Sequence, residues 1–121
     1  MAWHEFGRPG VVRRGDIYMV SIGRGDEGQE VIFPVLVVSA DEFNAMAKVP
    51  IVVPIVAPRN PVGFNVLLDG SATRTKGMIR CQEPRAIDLT ARNGRLVESV
   101  PPEIMKEVLQ RICAILEYSP G

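Results

Sequence analysis

Apolar residues in the first third of the chain form two runs separated by a polar loop, and each run predicts a strand. The stretch RRGDIYMVSIG (residues 13–23) predicts a first strand that ends at the glycine-rich, charged segment GRGDEGQE. The second run, from Phe33 to Val38, is apolar at every position. Continuous apolar character is typical of a strand that is buried on both faces.

A short helix is predicted directly after the second strand. Ser39 is followed three residues later by Glu42, which is a capping-box pattern. We expect the helix to continue to about Ala47 and to pack Phe43 and Met46 inward.

The next run, VPIVVPIVAP (residues 49–58), is rich in β-branched residues but contains prolines. Pro50 and Pro54 cannot donate to a strand ladder. The run therefore predicts an edge strand, a bulged strand or a strand paired on one side only.

Four short strands are predicted in the second half of the chain, in GFNVLLD, KGMIRCQ, RAIDL and RLVESV. Asn93-Gly94, just before the last of them, is the strongest tight-turn signal in the sequence. A long helix closes the chain: Pro101 and Pro102 suit a helix start, and apolar residues follow at three- and four-residue spacing. Five to seven strands, a short helix and a C-terminal helix predict an α+β, mostly β fold, a small antiparallel barrel or sandwich.

The length of 121 residues suits one domain, which we place at residues 13–118 behind a flexible N-terminal arm, residues 1–12. No apolar run reaches the roughly 20 residues of a membrane span, and the N-terminus lacks an apolar signal core. These features predict a cytoplasmic protein with no membrane association. Cys81 and Cys113 show no metal-ligand spacing, so we expect neither a metal nor another cofactor.

The formal charge is zero, with 14 basic and 14 acidic residues, which argues against nucleic-acid binding by bulk electrostatics alone. Six basic residues and only two acidic ones lie between Arg74 and Arg95. This stretch can form a local basic face, or its charges can simply be solvated.

Several segments, in this order, resemble the MazF/PemK family of toxin–antitoxin endoribonucleases. They are RRGDIYMVSI, GQE at residues 28–30, PVLVVSADEFN, IVVPIV, GMIRCQEPRAIDL and PPEIMKEVLQRICAILE. The resemblance covers nearly the whole chain. It implies a small SH3-like barrel of the CcdB/PemK type, pairing as a homodimer and inhibited by a cognate antitoxin. It also implies cleavage of single-stranded RNA without a metal, in which the 2′-hydroxyl attacks the adjacent phosphate and leaves a 2′,3′-cyclic phosphate.

The sequence departs from the family at two positions. The family's usual arginine before the proline of PVLVVS is Phe33 here, and its usual threonine or serine after the next strand is Val56. Neither side chain can stabilise the charge of a phosphorane. Three explanations stay open: other residues have taken over, the protein binds RNA or a partner without cutting, or it acts on a protein target as CcdB toxins act on DNA gyrase. The third is the weaker one, because the chain ends in LEYSPG rather than in an apolar, Trp-containing tail.

If other residues have taken over, the candidates lie in segments that we expect to rim one groove. The predicted catalytic residues are Arg24, Glu30, Arg59 and Thr75. The predicted RNA-binding residues are Phe33, which can stack on a base, together with Lys76, Arg80, Gln82, Glu83 and Arg85.

Overall fold

The computed structural model describes residues 11–58 and 63–117. Its elements, in chain order, are β1 (Asp16–Arg24), β2 (Glu30–Val37), α1 (Asp41–Met46), β3 (Ile51–Val56), β4 (Asn65–Leu68), β5 (Gly77–Arg80), β6 (Arg85–Ala86), β7 (Arg95–Ser99) and α2 (Pro102–Leu116). The strands pair antiparallel in the order β4-β5-β3-β2-β1-β7, and β6 pairs with β3. The predicted fold class, a mostly β antiparallel sheet with a short helix and a C-terminal helix, is confirmed.

The loop between β4 and β5 is hydrogen-bonded to β7, the strand at the opposite edge of the sheet. Glu98 on β7 accepts hydrogen bonds from the backbone N–H and the hydroxyl of Thr75, at 2.7 and 2.6 Å. It also accepts one from the backbone N–H of Arg74, at 3.1 Å. We call these three residues the Glu98 clasp. The clasp ties the loop between β4 and β5 to the far edge of the sheet, so the curled sheet is closed there by a carboxylate rather than by strand pairing.

Buried residues form a cluster on each face of the sheet. Alternation along β1 and β2 sends Ile17 and Leu36 to the cluster under α2, and Tyr18 and Val35 to the opposite cluster. Burial on both faces, predicted for the second strand, is thus confirmed for residues 35–38. Val12, at the end of the predicted arm, is buried in the second cluster; residues 1–10 of the arm lie outside the described residues.

The C-terminal helix begins where the two prolines predict. Pro101 is the N-cap of α2, and Pro102 occupies the first position, where a missing N–H removes no helical hydrogen bond. Met105 and Val108 are buried against the sheet, while Leu116 at the far end is exposed. The helix therefore covers one face of the sheet with its first three turns.

The prediction for α1 is wrong in two respects. Phe43 and Met46 are exposed, and the buried residue of the helix is Asn44. Ser39 does not cap the helix, because Ala40 is the N-cap. Instead, the hydroxyl of Ser39 donates a hydrogen bond to the side-chain oxygen of Asn44 and accepts one from the N–H of Ile51 at 2.9 Å.

Asn44 explains why this short helix packs by polar contacts. Its amide donates to the carbonyl oxygens of Val12, at 3.2 Å, and Ser39, at 3.1 Å. Both carbonyls lie in loops without ladder partners, so the amide satisfies groups that would otherwise be buried unpaired.

The prediction that residues 49–58 form an edge strand, a bulged strand or a strand paired on one side only is also wrong. β3 lies inside the sheet: it pairs with β2 on one side and, on the other, with β6 at Ile51 and Val52 and with β5 at Ile55 and Val56. Pro54 is tolerated because it lies between these two short pairings and has no partner in β5 or β6.

Close packing of β5 on β3 depends on a glycine. Gly77 has a φ of +150°, and a Cβ at this position would lie 2.5 Å from the carbonyl oxygen of Val56. Only a residue without a side chain fits there.

At Asn93-Gly94, the predicted tight turn is present: Asn93 has a φ of +53°, and the N–H of Gly94 donates to the carbonyl of Leu89 at 2.7 Å.

In the described ranges, we find no helix that is both long and apolar enough to cross a membrane.

Candidate functional site

A cavity of about 190 Å³ opens where β2 and β3 meet the segment between β5 and β6. We call it the Phe33 cavity. Its walls are mostly apolar, with one acidic and one basic residue, and its lining residues are Phe33, Val35, Val52, Pro54, Val56, Glu83, Arg85 and Ile87. The register explains this set: Val35 lies opposite Pro54, and Val52 lies opposite Arg85.

The two positions at which the chain departs from the family pattern meet in this cavity. Phe33, half-buried near the middle of β2, and Val56, the last residue of β3, both line it. An aromatic ring and a β-branched side chain thus stand where the resemblance implies an arginine and a threonine. The cavity can hold a flat apolar group, but these two residues provide no charge for a phosphate.

Charge is provided beside the cavity by an ion pair. A guanidinium nitrogen of Arg80 lies 2.6 Å from a carboxylate oxygen of Glu83, and both side chains are about one-third exposed. A turn places them together, since the backbone N–H of Glu83 donates to the carbonyl of Arg80 at 3.1 Å. The Nε of Arg80 and the side-chain oxygen of Asn65, its cross-strand partner on β4, are both buried without a hydrogen-bond partner among the described residues.

The other predicted RNA-binding residues lie around this centre. Arg85 is exposed on β6 and lines the cavity, so Phe33, Glu83 and Arg85 are brought together, with Arg80 bonded to Glu83. Gln82 is exposed and does not line the cavity, and Lys76 is exposed in the loop before β5. The structure therefore separates the adjacent pair Gln82-Glu83, placing only Glu83 at the cavity.

Two of the predicted catalytic residues lie on the hairpin formed by β1 and β2, away from the Phe33 cavity. Arg24 and Glu30 are register partners there. The guanidinium of Arg24 donates to the carbonyl of Gly28 at 2.8 Å. Glu30 lines a second cavity, of about 550 Å³, together with Arg95. The basic residues between Arg74 and Arg95 are accordingly divided between different parts of the surface.

The remaining two predicted catalytic residues have different outcomes. Thr75 belongs to the Glu98 clasp, and its hydroxyl donates to the carboxylate. Burial alone would raise the pKa of Glu98, but the hydrogen bonds from Thr75 and Arg74 outweigh it and lower the pKa. Arg59 lies outside the described residues. Catalytic roles for all four residues stay predictions.

Cysteine and metal chemistry add little to the site. Cys81 is buried at the end of β5, and burial raises the pKa of its thiol to about 11, which keeps it protonated at neutral pH. Residues 11–58 and 63–117 contain no group of three or more His, Cys, Asp or Glu side chains placed to hold a metal ion.

Sequence reasoning missed the cavity's apolar wall. Val52, Pro54 and Val56 alternate along β3 and share one face, and this period of two was visible in the sequence. The prolines of this run indicate an edge, bulged or one-sided strand and thereby obscure the alternation. Ile87, just after β6, had no signal of its own, since it follows a strand of only two residues.

Comparison with known proteins agrees with this fold. Residues 13–116 match the family model described as PemK-like, MazF-like toxin of type II toxin–antitoxin systems. The chain is 44% identical over 110 residues to endoribonuclease PemK of Escherichia coli, covering 87% of this chain and 82% of that protein. It is 31% identical over 109 residues to endoribonuclease toxin ChpB of E. coli K12, covering 86% of this chain and 93% of ChpB.

Solved structures show the same architecture at low sequence identity. The MazE-MazF (Form-III) crystal structure from Deinococcus radiodurans contains a chain that matches with a TM-score of 0.77 at 18% identity, covering 90% of this chain and 99% of that one. A mycobacterial endoribonuclease in complex with its cognate antitoxin matches with a TM-score of 0.74 at 18% identity, covering 91% and 99%. With the seven-stranded sheet, the two helices and a family match over 13–116, the chain belongs to the PemK-like, MazF-like toxins of type II toxin–antitoxin systems.

Proposed function

We propose that this toxin is an endoribonuclease that cleaves single-stranded RNA in the cytoplasm, acts as a homodimer and is held inactive by a cognate antitoxin. The observation that carries the proposal is the Phe33 cavity with the Arg80–Glu83 ion pair at its side. An apolar, aromatic-walled space accepts an unpaired base, and guanidinium groups next to it accept the phosphate that follows the base. Relatives named as endoribonucleases support the same activity.

The proposed reaction needs no metal. The 2′-oxygen of the ribose forms a bond to the adjacent phosphorus, the bond from phosphorus to the 5′-oxygen breaks, and a 2′,3′-cyclic phosphate remains. A base removes the proton of the 2′-hydroxyl, and an acid protonates the departing 5′-oxygen. Negative charge grows on the phosphorane oxygens between these steps, so fixed cations there lower the barrier.

The cationic role falls to Arg80 in this chain. Arg80 lies beside the cavity and is held in place by Glu83, so its guanidinium is ordered before substrate binds. Arg80 thus replaces the charge that Phe33 does not provide, while Arg85 lines the cavity itself. Glu30 stays a predicted catalytic residue, although it lines the second cavity rather than the Phe33 cavity.

One assay tests the activity. Purified protein is incubated with a long single-stranded RNA in EDTA, and the fragments are analysed for 3′ ends that resist phosphatase until acid opens a cyclic phosphate. We expect discrete fragments with such ends, and at least a tenfold lower rate for Arg80→Ala, about the loss of one transition-state charge contact. Arg92→Ala, which removes an exposed arginine on the turn before β7, is the matched control and keeps the rate. Equal rates for the two variants would exclude Arg80 from the site.

Arg24 and Arg59 are tested in the same cleavage assay. If Arg24 or Arg59 replaces the family's arginine, Arg24→Ala or Arg59→Ala lowers the rate at least tenfold, the effect expected for removing a cation from the transition state. Unchanged rates in both variants would leave the charge to Arg80.

One observation favours a second function. Because Phe33 and Val56 replace the family's arginine and threonine within the cavity, the protein can be a member that binds without cutting, with its antitoxin or a protein target such as DNA gyrase as its partner. Intact RNA in the assay, together with growth arrest on expression, would support this alternative. The chain end that argued against gyrase lies outside the described residues.

A further inference from the structure

The Phe33 cavity has a chemical asymmetry that goes beyond a general affinity for RNA. Six of its eight lining residues are apolar, and the other two, Glu83 and Arg85, are charged. The apolar walls accept any base, because every base has an apolar face. The two charged groups can distinguish bases only by the donors and acceptors on the base edge.

The carboxylate of Glu83 restricts the choice of base more than the guanidinium of Arg85 does. An ionised carboxylate accepts hydrogen bonds and donates none, so it favours a base edge with donors. Guanine presents two adjacent donors on its pairing edge, N1–H and the N2 amino group, which match the two oxygens of a carboxylate. Adenine and cytosine present one amino donor beside an acceptor, and uracil presents one N–H between two acceptors.

The guanidinium of Arg85 also favours guanine. Guanine carries the O6 acceptor directly beside its two donors, and a guanidinium only donates. A base held by Glu83 on its donor side therefore offers O6 to a neighbouring arginine, and Arg85 lines the same cavity. None of the other three bases combines two adjacent donors with a flanking acceptor.

Glu83 keeps acceptor capacity while it is paired with Arg80. The contact at 2.6 Å involves one carboxylate oxygen, Oε2, and one guanidinium nitrogen. A carboxylate has about four lone-pair positions, so the ion pair fixes its orientation without using them all. Arg80 in turn stands next to Glu83, where it can contact the phosphate of a nucleotide whose base enters the cavity.

From this geometry we propose that the Phe33 cavity is a guanine slot, in which Phe33 stacks on the base of a guanosine in single-stranded RNA and Glu83 and Arg85 read its pairing edge. The proposal rests on the proposed function in taking single-stranded RNA as the ligand, and adds the base that the toxin selects. Glu83 is the specificity-determining residue.

The test measures binding rather than cleavage. Four fluorescent 2′-O-methyl oligonucleotides, which cannot be cut at the modified riboses, carry G, A, C or U at one position in an otherwise identical unstructured sequence. Fluorescence anisotropy gives the dissociation constants with the full chain. We expect the G oligonucleotide to bind roughly tenfold more tightly than the other three, the discrimination typical of a bidentate contact with one base.

Two modified bases identify the edge that is read. Inosine lacks the N2 amino group and should lose most of the tenfold preference, whereas 7-deazaguanine keeps the pairing edge and should bind as guanine does. Equal affinity for guanine and inosine would overturn the assignment to Glu83.

Variants locate the selectivity in the chain. Glu83→Gln replaces one acceptor oxygen with a donor and should abolish the preference for G; Glu42→Gln, an exposed glutamate on α1, is the matched control and should keep it. Melting temperatures of both variants check that each is folded. A preference for G that survives in folded Glu83→Gln protein would refute the proposal.

Further arms separate the possible outcomes. GMP should compete weakly, since it lacks the neighbouring phosphates near Arg80; competition as strong as that of the oligonucleotide would show a free-nucleotide site and overturn the RNA slot. Cleavage without any preference for G would sink the slot while leaving the nuclease in place. Preferential binding of G without cleavage would support the guanine slot and contradict the proposed nuclease activity.

Discussion

The Glu98 clasp makes a quantitative prediction about the stability of the barrel. Glu98→Ala removes the acceptor of three hydrogen bonds, from Thr75 N–H, Thr75 Oγ and Arg74 N–H. A hydrogen bond to a charged group contributes about 1.5–3 kcal/mol where water is excluded. Glu98 and Thr75 are half-buried and Arg74 is exposed, so water replaces part of each bond. We therefore expect the free energy of unfolding to fall by about 2 kcal/mol in total, less than the sum of three full contributions.

Thermal and urea denaturation followed by far-UV circular dichroism measure this loss. For a domain of 121 residues, a loss of 2 kcal/mol corresponds to a melting temperature lower by about 6–10 °C. The control is Glu27→Ala, an exposed glutamate in the loop between β1 and β2, which should change stability by less than about 0.5 kcal/mol. If Glu98→Ala were no less stable than Glu27→Ala, the clasp would not close the barrel.

A double-mutant cycle with Thr75→Val isolates the contact between the two side chains. Valine keeps the shape of threonine but removes the hydroxyl that donates to Glu98. We expect a coupling energy of about 1 kcal/mol, whereas strictly additive effects would show that the hydroxyl and the carboxylate do not interact.

Acid titration provides an independent check of the clasp. The pKa of Glu98 is lower in the folded protein than its ordinary value, so its stabilising contribution is complete above the ordinary glutamate pKa of about 4.3 and is lost as pH falls through the folded value. Asp16 acts in the opposite sense, because burial raises its pKa despite hydrogen bonds from the N–H of Arg13 and the hydroxyl of Ser99. Wild-type stability should therefore fall more steeply than that of Glu98→Gln below about pH 4.3. If the stability of wild type and of Glu98→Gln fell equally steeply below this pH, the role of Glu98 would be contradicted.

Three further changes test the site and its support. Phe33→Ala should weaken binding of single-stranded RNA by about 1–3 kcal/mol for all four bases, measured by anisotropy; unchanged affinity would show that Phe33 does not stack. Asn44→Ala should lower the free energy of unfolding by about 1–3 kcal/mol, since the carbonyls of Val12 and Ser39 lose their donor, and an equally stable variant in urea denaturation would contradict this account. Gly77→Ala combines a backbone conformation that costs about 1–3 kcal/mol with a contact of 2.5 Å to Val56, so it should lower both stability and RNA affinity; a neutral effect on melting temperature would refute the close-packing argument.

Local patterns predicted the elements of this fold well, because strand alternation and helix periodicity depend only on residues that are close together in the sequence. The pattern of α2, from its prolines to its apolar stripe, is an example. The errors came from long-range contacts. Pro54 suggested an edge strand, and only the division of β3 between β5 and β6 shows how an interior strand accommodates it. Asn44 is buried because loop carbonyls from distant parts of the chain meet it, which no local pattern reveals.

The candidate site was predictable in its residue types but not in its grouping. The departure from the family pattern identified Phe33 and Val56 from the sequence alone, and the structure shows both in one cavity. Gln82 and Glu83 could not be separated in advance, because they lie in a turn where no periodicity determines which side chain faces inward. Arg59 could not be placed, as it lies outside the described residues.

The backbone around the Phe33 cavity is fixed by residues other than those at its mouth. Val35, Leu36 and Val37 set the register of β2 against β3, while Gly77 sets the approach of β5. Positions 33 and 56 are thereby free to exchange side chains on an unchanged frame. The same fold can therefore carry either the charged and hydroxyl side chains that the family pattern implies or the apolar pair found here.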